Sequence, residues 1–150
     1  GRGEEVVCHE ESHVYVYEGG GIMRHAGASV RLLRGERGLL TAQGIEAAIN
    51  PDDVHYPSTR LICLENTFNR GGGACYSLAA IEGIAALARA RGLALHLDGA
   101  RLLNACLATQ TTPADYGARF DSLTLCLSKG LGAPVGSLLF GTRDFIRRAQ

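Results

Sequence analysis

Leu95-His96-Leu97-Asp98-Gly99-Ala100-Arg101 is the stretch that decides how this chain folds. Together with Leu93 and Ala94 it forms an apolar run that stops at an acid and a glycine, the form of a strand covered on both faces of a parallel sheet. Similar runs occur at Glu5-Val6-Val7-Cys8, His13-Val14-Tyr15-Val16-Tyr17, Arg60-Leu61-Ile62-Cys63-Leu64 and Ser122-Leu123-Thr124-Leu125-Cys126-Leu127. A short run from Gly136 to Gly141 closes the set. Helical stretches fall between them: Thr41 to Asn50, stopped by Pro51; Leu78 to Arg91, with Ser77 as cap and Gly92 as stop; Ala100 to Ala108; and Thr142 to Ala149. Strand and helix in alternation predict an α/β fold, a mostly parallel sheet with helices on both faces. Gly19-Gly20-Gly21 and Gly71-Gly72-Gly73 read as loops.

Composition narrows the classes. The chain has 150 residues, 46% apolar, with fifteen acidic and fifteen basic side chains. That is the make-up of one globular domain, with no basic stripe for nucleic acid. No apolar run approaches the roughly 20 residues that cross a bilayer, so no membrane partner is expected. Five cysteines without a C-x-x-C pair lack zinc spacing, and no metal site is expected. Cys63, Cys106 and Cys126 lie in apolar runs and read as buried free thiols, which fits a reducing, cytoplasmic setting. The opening Gly1-Arg2-Gly3 has neither a methionine nor a signal-peptide core, so a trimmed start or a piece of a longer chain is expected.

Ligands of parallel α/β sheets bind beyond the carboxyl ends of the strands. Asp98, Lys129 and the triplet Glu65-Asn66-Thr67 all fall at such ends. A carboxylate after a buried run needs a cation. Either a protonated pyridine nitrogen or Arg101 would serve for Asp98, and Asp98 could also cap the helix that follows Gly99. Lys129 has Leu125 to Leu127 before it and Gly130-Leu131-Gly132-Ala133-Pro134 after it, where small residues let backbone approach a flat ligand. A lysine attacks an aldehyde only as the neutral amine, a form that burial favours. An acid for a ring nitrogen and an amine for an aldehyde are the minimum for holding pyridoxal 5'-phosphate. Arg101 also reads as a fork for a substrate carboxylate. His13 and Glu18 carry little signal alone.

Taken together these stretches resemble the central part of the low-specificity L-threonine aldolases, within the aromatic amino acid beta-eliminating lyase and threonine aldolase group. The matching segments are His13 with Glu18-Gly19-Gly20, Thr41 to Pro51, Leu61 to Thr67, Leu95 to Asn104, and Cys126 to Ser137. The resemblance implies the large domain of a pyridoxal phosphate enzyme of fold type I, a homodimer or homotetramer with sites shared between subunits. It implies Lys129 as the residue joined to the cofactor, Asp98 on the pyridine nitrogen, Arg101 on the substrate carboxylate, and His13 stacked on the ring near the substrate hydroxyl. The implied reaction is retro-aldol cleavage of L-threonine, L-allo-threonine or a related β-hydroxy-α-amino acid to glycine and an aldehyde. Another pyridoxal phosphate β-eliminating lyase, or a truncated non-catalytic remnant, are the other readings.

Three departures from the family pattern stand out. Phe68 occupies the position where the family has a histidine, so His13 alone or a water is expected to handle the hydroxyl proton. Gly73-Ala74-Cys75-Tyr76-Ser77 lacks the arginine and proline common there. The loop that grips the cofactor phosphate is expected before Gly1 and the small domain after Gln150. On that expectation the 150 residues alone bind the cofactor weakly or not at all and do not turn over.

Overall fold

Period-two alternation along the central strands puts two sets of side chains on opposite faces of one sheet. In the computed structural model, which describes all 150 residues, six strands form this sheet in the order β2-β1-β3-β4-β5-β6. They are β1 (Glu4–His9), β2 (Ser29–Leu33), β3 (Ser58–Glu65), β4 (Ala94–Asp98), β5 (Ser122–Cys126) and β6 (Ser137–Gly141). The first five run parallel, and β6 returns antiparallel along β5.

Ile62 and Leu64 of β3 and Leu95 and Leu97 of β4 point into the main core. There they meet Ile81, Ile84, Ala85 and Ala88, the apolar stripe of α3 (Leu78–Arg91), with Ile45 of α2 (Ala42–Glu46) and Tyr116 of α5 (Pro113–Gly117). Cys106 and Leu102 of α4 (Leu102–Thr109) close that layer. On the opposite face a smaller cluster of Val6, Cys8, Ala28 and Cys63 is covered by Val14 of α1 (His13–Val16) and by Ile22. Helical segments therefore lie on both faces, as the alternation implies. Beyond β6 the chain ends in α6 (Arg143–Ala149), capped by Thr142.

Ser77 caps α3 by accepting from the Ala80 N–H, and Gly92 stops it in a left-handed conformation at φ 63°. Three expectations change. The His13 to Tyr17 run is not a strand but the short helix α1, because four residues of alternating apolar character fit one helical turn as well as a strand. The Thr41 to Asn50 helix is regular only over Ala42–Glu46, with turns carrying the chain on to Pro51. The edge strand β2 and the helix α5, with its Thr112/Asp115 capping box, are additional. All five cysteines are free thiols, but Cys126 is only half-buried.

Candidate active site

Parallel β1, β3, β4 and β5 bring their carboxyl ends to one edge of the sheet, and the chain leaves each end through residues that carry charge. Register places Glu65 beside Asp98, and Asp98 beside Thr124. The Asn66 N–H donates to the Asp98 carbonyl at 2.9 Å, which fixes these two ends against each other.

Asp98 is half-buried, and its Oδ1 accepts from the Ala100 N–H at 3.1 Å. That bond closes a turn ahead of α4 rather than capping it, because the helix begins at Leu102 with Arg101 at its cap position and no side-chain cap. The pairing of Asp98 with Arg101 does not form, and no other cation takes its place. Arg101 stands at the entry to α4 with a non-helical backbone and an unpaired guanidinium. A half-buried carboxylate with one spare oxygen, flanked in register by a second carboxylate, favours a cationic N–H.

Lys129 follows the end of β5. Its turn is closed by hydrogen bonds from the Leu127 N–H to the Gly136 carbonyl at 2.9 Å and from the Ala133 N–H to the Leu127 carbonyl at 3.0 Å. The ammonium lies 3.2 Å from the Cys126 Sγ. Of the fifteen basic residues Lys129 is the one lysine; the rest are arginines, which offer no amine to an aldehyde. Of the glycines after the acid and after the lysine, the first is sterically required by backbone and the second is packed against a side chain. A Cβ on Gly99 would stand 2.6 Å from the Thr124 carbonyl oxygen, and one on Gly130 would stand 2.6 Å from the Asn104 Oδ1. A side chain at the first would keep the end of β4 from closing on β5, whereas at the second only the end of the Asn104 side chain would have to move.

His13 opens α1 beyond the end of β1, half-exposed, with Nδ1 2.9 Å from the Glu18 Oε1 and its ring 5.2 Å from that of Tyr17. That leaves Nε2 free of protein partners. Phe68 is 1% exposed and packs edge-on against His9 at 4.8 Å and against Gly38, so it fills space rather than lining an opening. His96 faces the same side as Asp98, with Nδ1 2.8 Å from the Ser122 Oγ, and burial lowers its pKa while the Asp98 charge works the other way.

The edge thus gathers Asp98, Arg101 and Lys129 on the adjacent ends of β4 and β5, with His13 on the far side of β3. Its donor set fits pyridoxal phosphate: a spare acceptor for a ring N–H, one amine for an aldehyde, and an unpaired guanidinium for a carboxylate. Two contacts escape a reading of the sequence. One is the Glu18 partnership with His13; the other is Glu65, whose carboxylate is spent on backbone N–H groups. The largest cavity, about 650 Å³, lies elsewhere, between Leu102, Phe120, Leu123, Leu125 and Phe140 on the main-core face.

Residues 1–150 match the family described as beta-eliminating lyase. The low-specificity L-threonine aldolase 1 of Arabidopsis thaliana is 43% identical over 152 residues, covering 99% of this chain and 42% of the relative. The low specificity L-threonine aldolase of Escherichia coli K12 is 40% identical over 149 residues, again covering 99% of this chain and 44% of the relative. Among solved structures the Leishmania major threonine aldolase superposes with a TM-score of 0.79 at 26% identity, covering 92% of this chain and 40% of that one. The chain spans about two-fifths of the length of the curated relatives it matches.

Proposed function

The chain belongs to the beta-eliminating lyase family, and from that premise we propose that it serves the retro-aldol cleavage of L-threonine, or a related β-hydroxy-α-amino acid, to glycine and an aldehyde. The observation that carries this reading is Asp98, without a cation, on the strand next to the turn that bears the chain's single lysine. Pyridoxal 5'-phosphate, when bound, supplies an aldehyde for amines and a ring that draws electrons from the substrate α-carbon. Asp98 holds the proton on the ring nitrogen through its free carboxylate oxygen. Lys129 would hold the cofactor at its aldehyde through the Nζ amine. Arg101 orients the substrate by gripping its carboxylate. His13 takes the proton of the substrate hydroxyl at Nε2, with the Glu18 carboxylate keeping Nδ1 as the donor nitrogen. The names of the relatives favour threonine aldol cleavage over other β-eliminations. The reading extends to a homodimer or homotetramer in the cytoplasm, for which the exposed Leu138, Leu139 and Phe140 of β6 offer an apolar surface to cover.

The test is the release of glycine from L-threonine by the holoenzyme and its Asp98→Ala variant. The reading expects turnover by the first and a fall of at least about a hundredfold in the second, since loss of the ring-nitrogen partner removes about 3 kcal/mol of transition-state stabilisation. Undiminished turnover after the substitution overturns the role of Asp98. No glycine from the unaltered holoenzyme overturns the reaction.

A further inference from the structure

Glu65 is a buried acid that the proposed chemistry leaves without a task. It ends β3 at 6% exposure, no cation pairs with it, and Asp98 is its in-register neighbour. A carboxylate in that setting is costly unless strong hydrogen bonds offset the lost water. Both of its oxygens are engaged, and both with main chain: Oε2 accepts from the His13 N–H at 2.8 Å, and Oε1 from the Asn69 N–H at 2.9 Å.

The first of these bonds satisfies the leading N–H of α1. Ser12 sits at the cap position of α1 with extended backbone, where a serine oxygen ordinarily accepts from the first turn. Here its hydroxyl instead donates to the His9 carbonyl at 2.6 Å, and no side-chain cap forms. The N–H of His13 would be an orphan, and Glu65 reaches it across 52 positions of sequence. His13 is thereby held at two points, its backbone by Glu65 and its imidazole by Glu18 at 2.9 Å.

We infer that Glu65 is the positioning residue of His13: its two oxygens tie the turn after β1 to the turn after β3 and so set where the imidazole stands. The inference rests on the proposed role of His13 at the substrate hydroxyl. It also assigns the two adjacent acids different work. Glu65 is consumed by backbone and leaves Asp98 as the one of these two with an oxygen to spare for a cation.

The experiment uses the pyridoxal phosphate-loaded holoenzyme. Glu65→Gln keeps the shape but replaces one acceptor oxygen by an NH2 group, which cannot accept the second N–H. The expected result is a fall in kcat on L-threonine of about tenfold or more, with KM and the visible cofactor band unchanged, because only placement of the proton acceptor is lost. In a His13→Ala background the same substitution adds less than about twofold, as expected of two residues acting as a unit. Amide hydrogen exchange on the unaltered holoenzyme, which does not depend on how any variant folds, should show slow exchange at His13 and Asn69. Full kcat in Glu65→Gln, an equal loss in both backgrounds, or freely exchanging amides at these two positions overturns the inference. Full kcat in His13→Ala overturns the reading of His13, and the positioning role with it; slow amides beside an inert Glu65→Gln overturn the positioning role alone.

Discussion

At the scale of single residues, the edge is organised by what each charged group has been given as a partner. Asp98 ends an apolar strand and Lys129 follows one, and each precedes a glycine; at Gly99 the missing Cβ allows a close approach to the Thr124 carbonyl. They are legible in sequence because a charge closing an apolar run is conspicuous, and a glycine beside it more so. Glu65 closes such a run too, yet its role is invisible there, since its partners are backbone N–H groups distant in sequence. Glu18 is hidden for a different reason: its meeting with His13 depends on the chain turning as a helix rather than continuing as a strand. His96 makes a testable contribution to stability. Burial holds its folded-state pKa below the ordinary value of 6.5, so the unfolded chain takes up the proton first as pH falls. The neutral ring's contribution is fully present above that value and is lost progressively as pH drops from about 6.5 toward the lower folded pKa. Urea titrations at stepped pH should therefore show a steeper acid loss in the unaltered protein than in His96→Gln; identical slopes would mean that His96 is not protonated less readily in the fold.

At the scale of elements, capping decides which helices could be foreseen. In α3 the cap Ser77, the apolar stripe and the stop at Gly92 agree, and its limits follow from them. Ser77→Ala removes the acceptor for the Ala80 N–H and should lower stability by about 1 kcal/mol in urea unfolding, with the slope unchanged; a midpoint that does not move would show that the cap carries no stabilisation. In α1 these signals conflict, because its cap bond comes from another strand. The edge strand β2 escapes notice because Ser29-Val30-Arg31-Leu32-Leu33 is covered on one side only. Its Arg31 serves a polar network instead, donating to Asn50 at 2.8 Å while Asn50 donates to the buried Glu5 at 2.9 Å.

At the scale of the whole molecule, five parallel strands set the direction in which every loop of the edge leaves the sheet, and that common direction puts residues spread from His13 to Lys129 at the same edge. The alternation of apolar runs and capped helices carries this architecture in the sequence. The pairing order does not follow from it, because β1 lies between β2 and β3 only once long-range register is fixed. No helix is long and apolar enough to cross a membrane. The central claim, that this edge holds pyridoxal phosphate through Lys129, has a direct measurement. Borohydride reduction of the loaded holoenzyme fixes the cofactor to the amine that holds it, and peptide mass spectrometry then locates the tag. With one lysine among these 150 residues, the account predicts the pyridoxyl group on the peptide containing Ser128-Lys129-Gly130; a tag on any other peptide, with Lys129 unmodified, would contradict it.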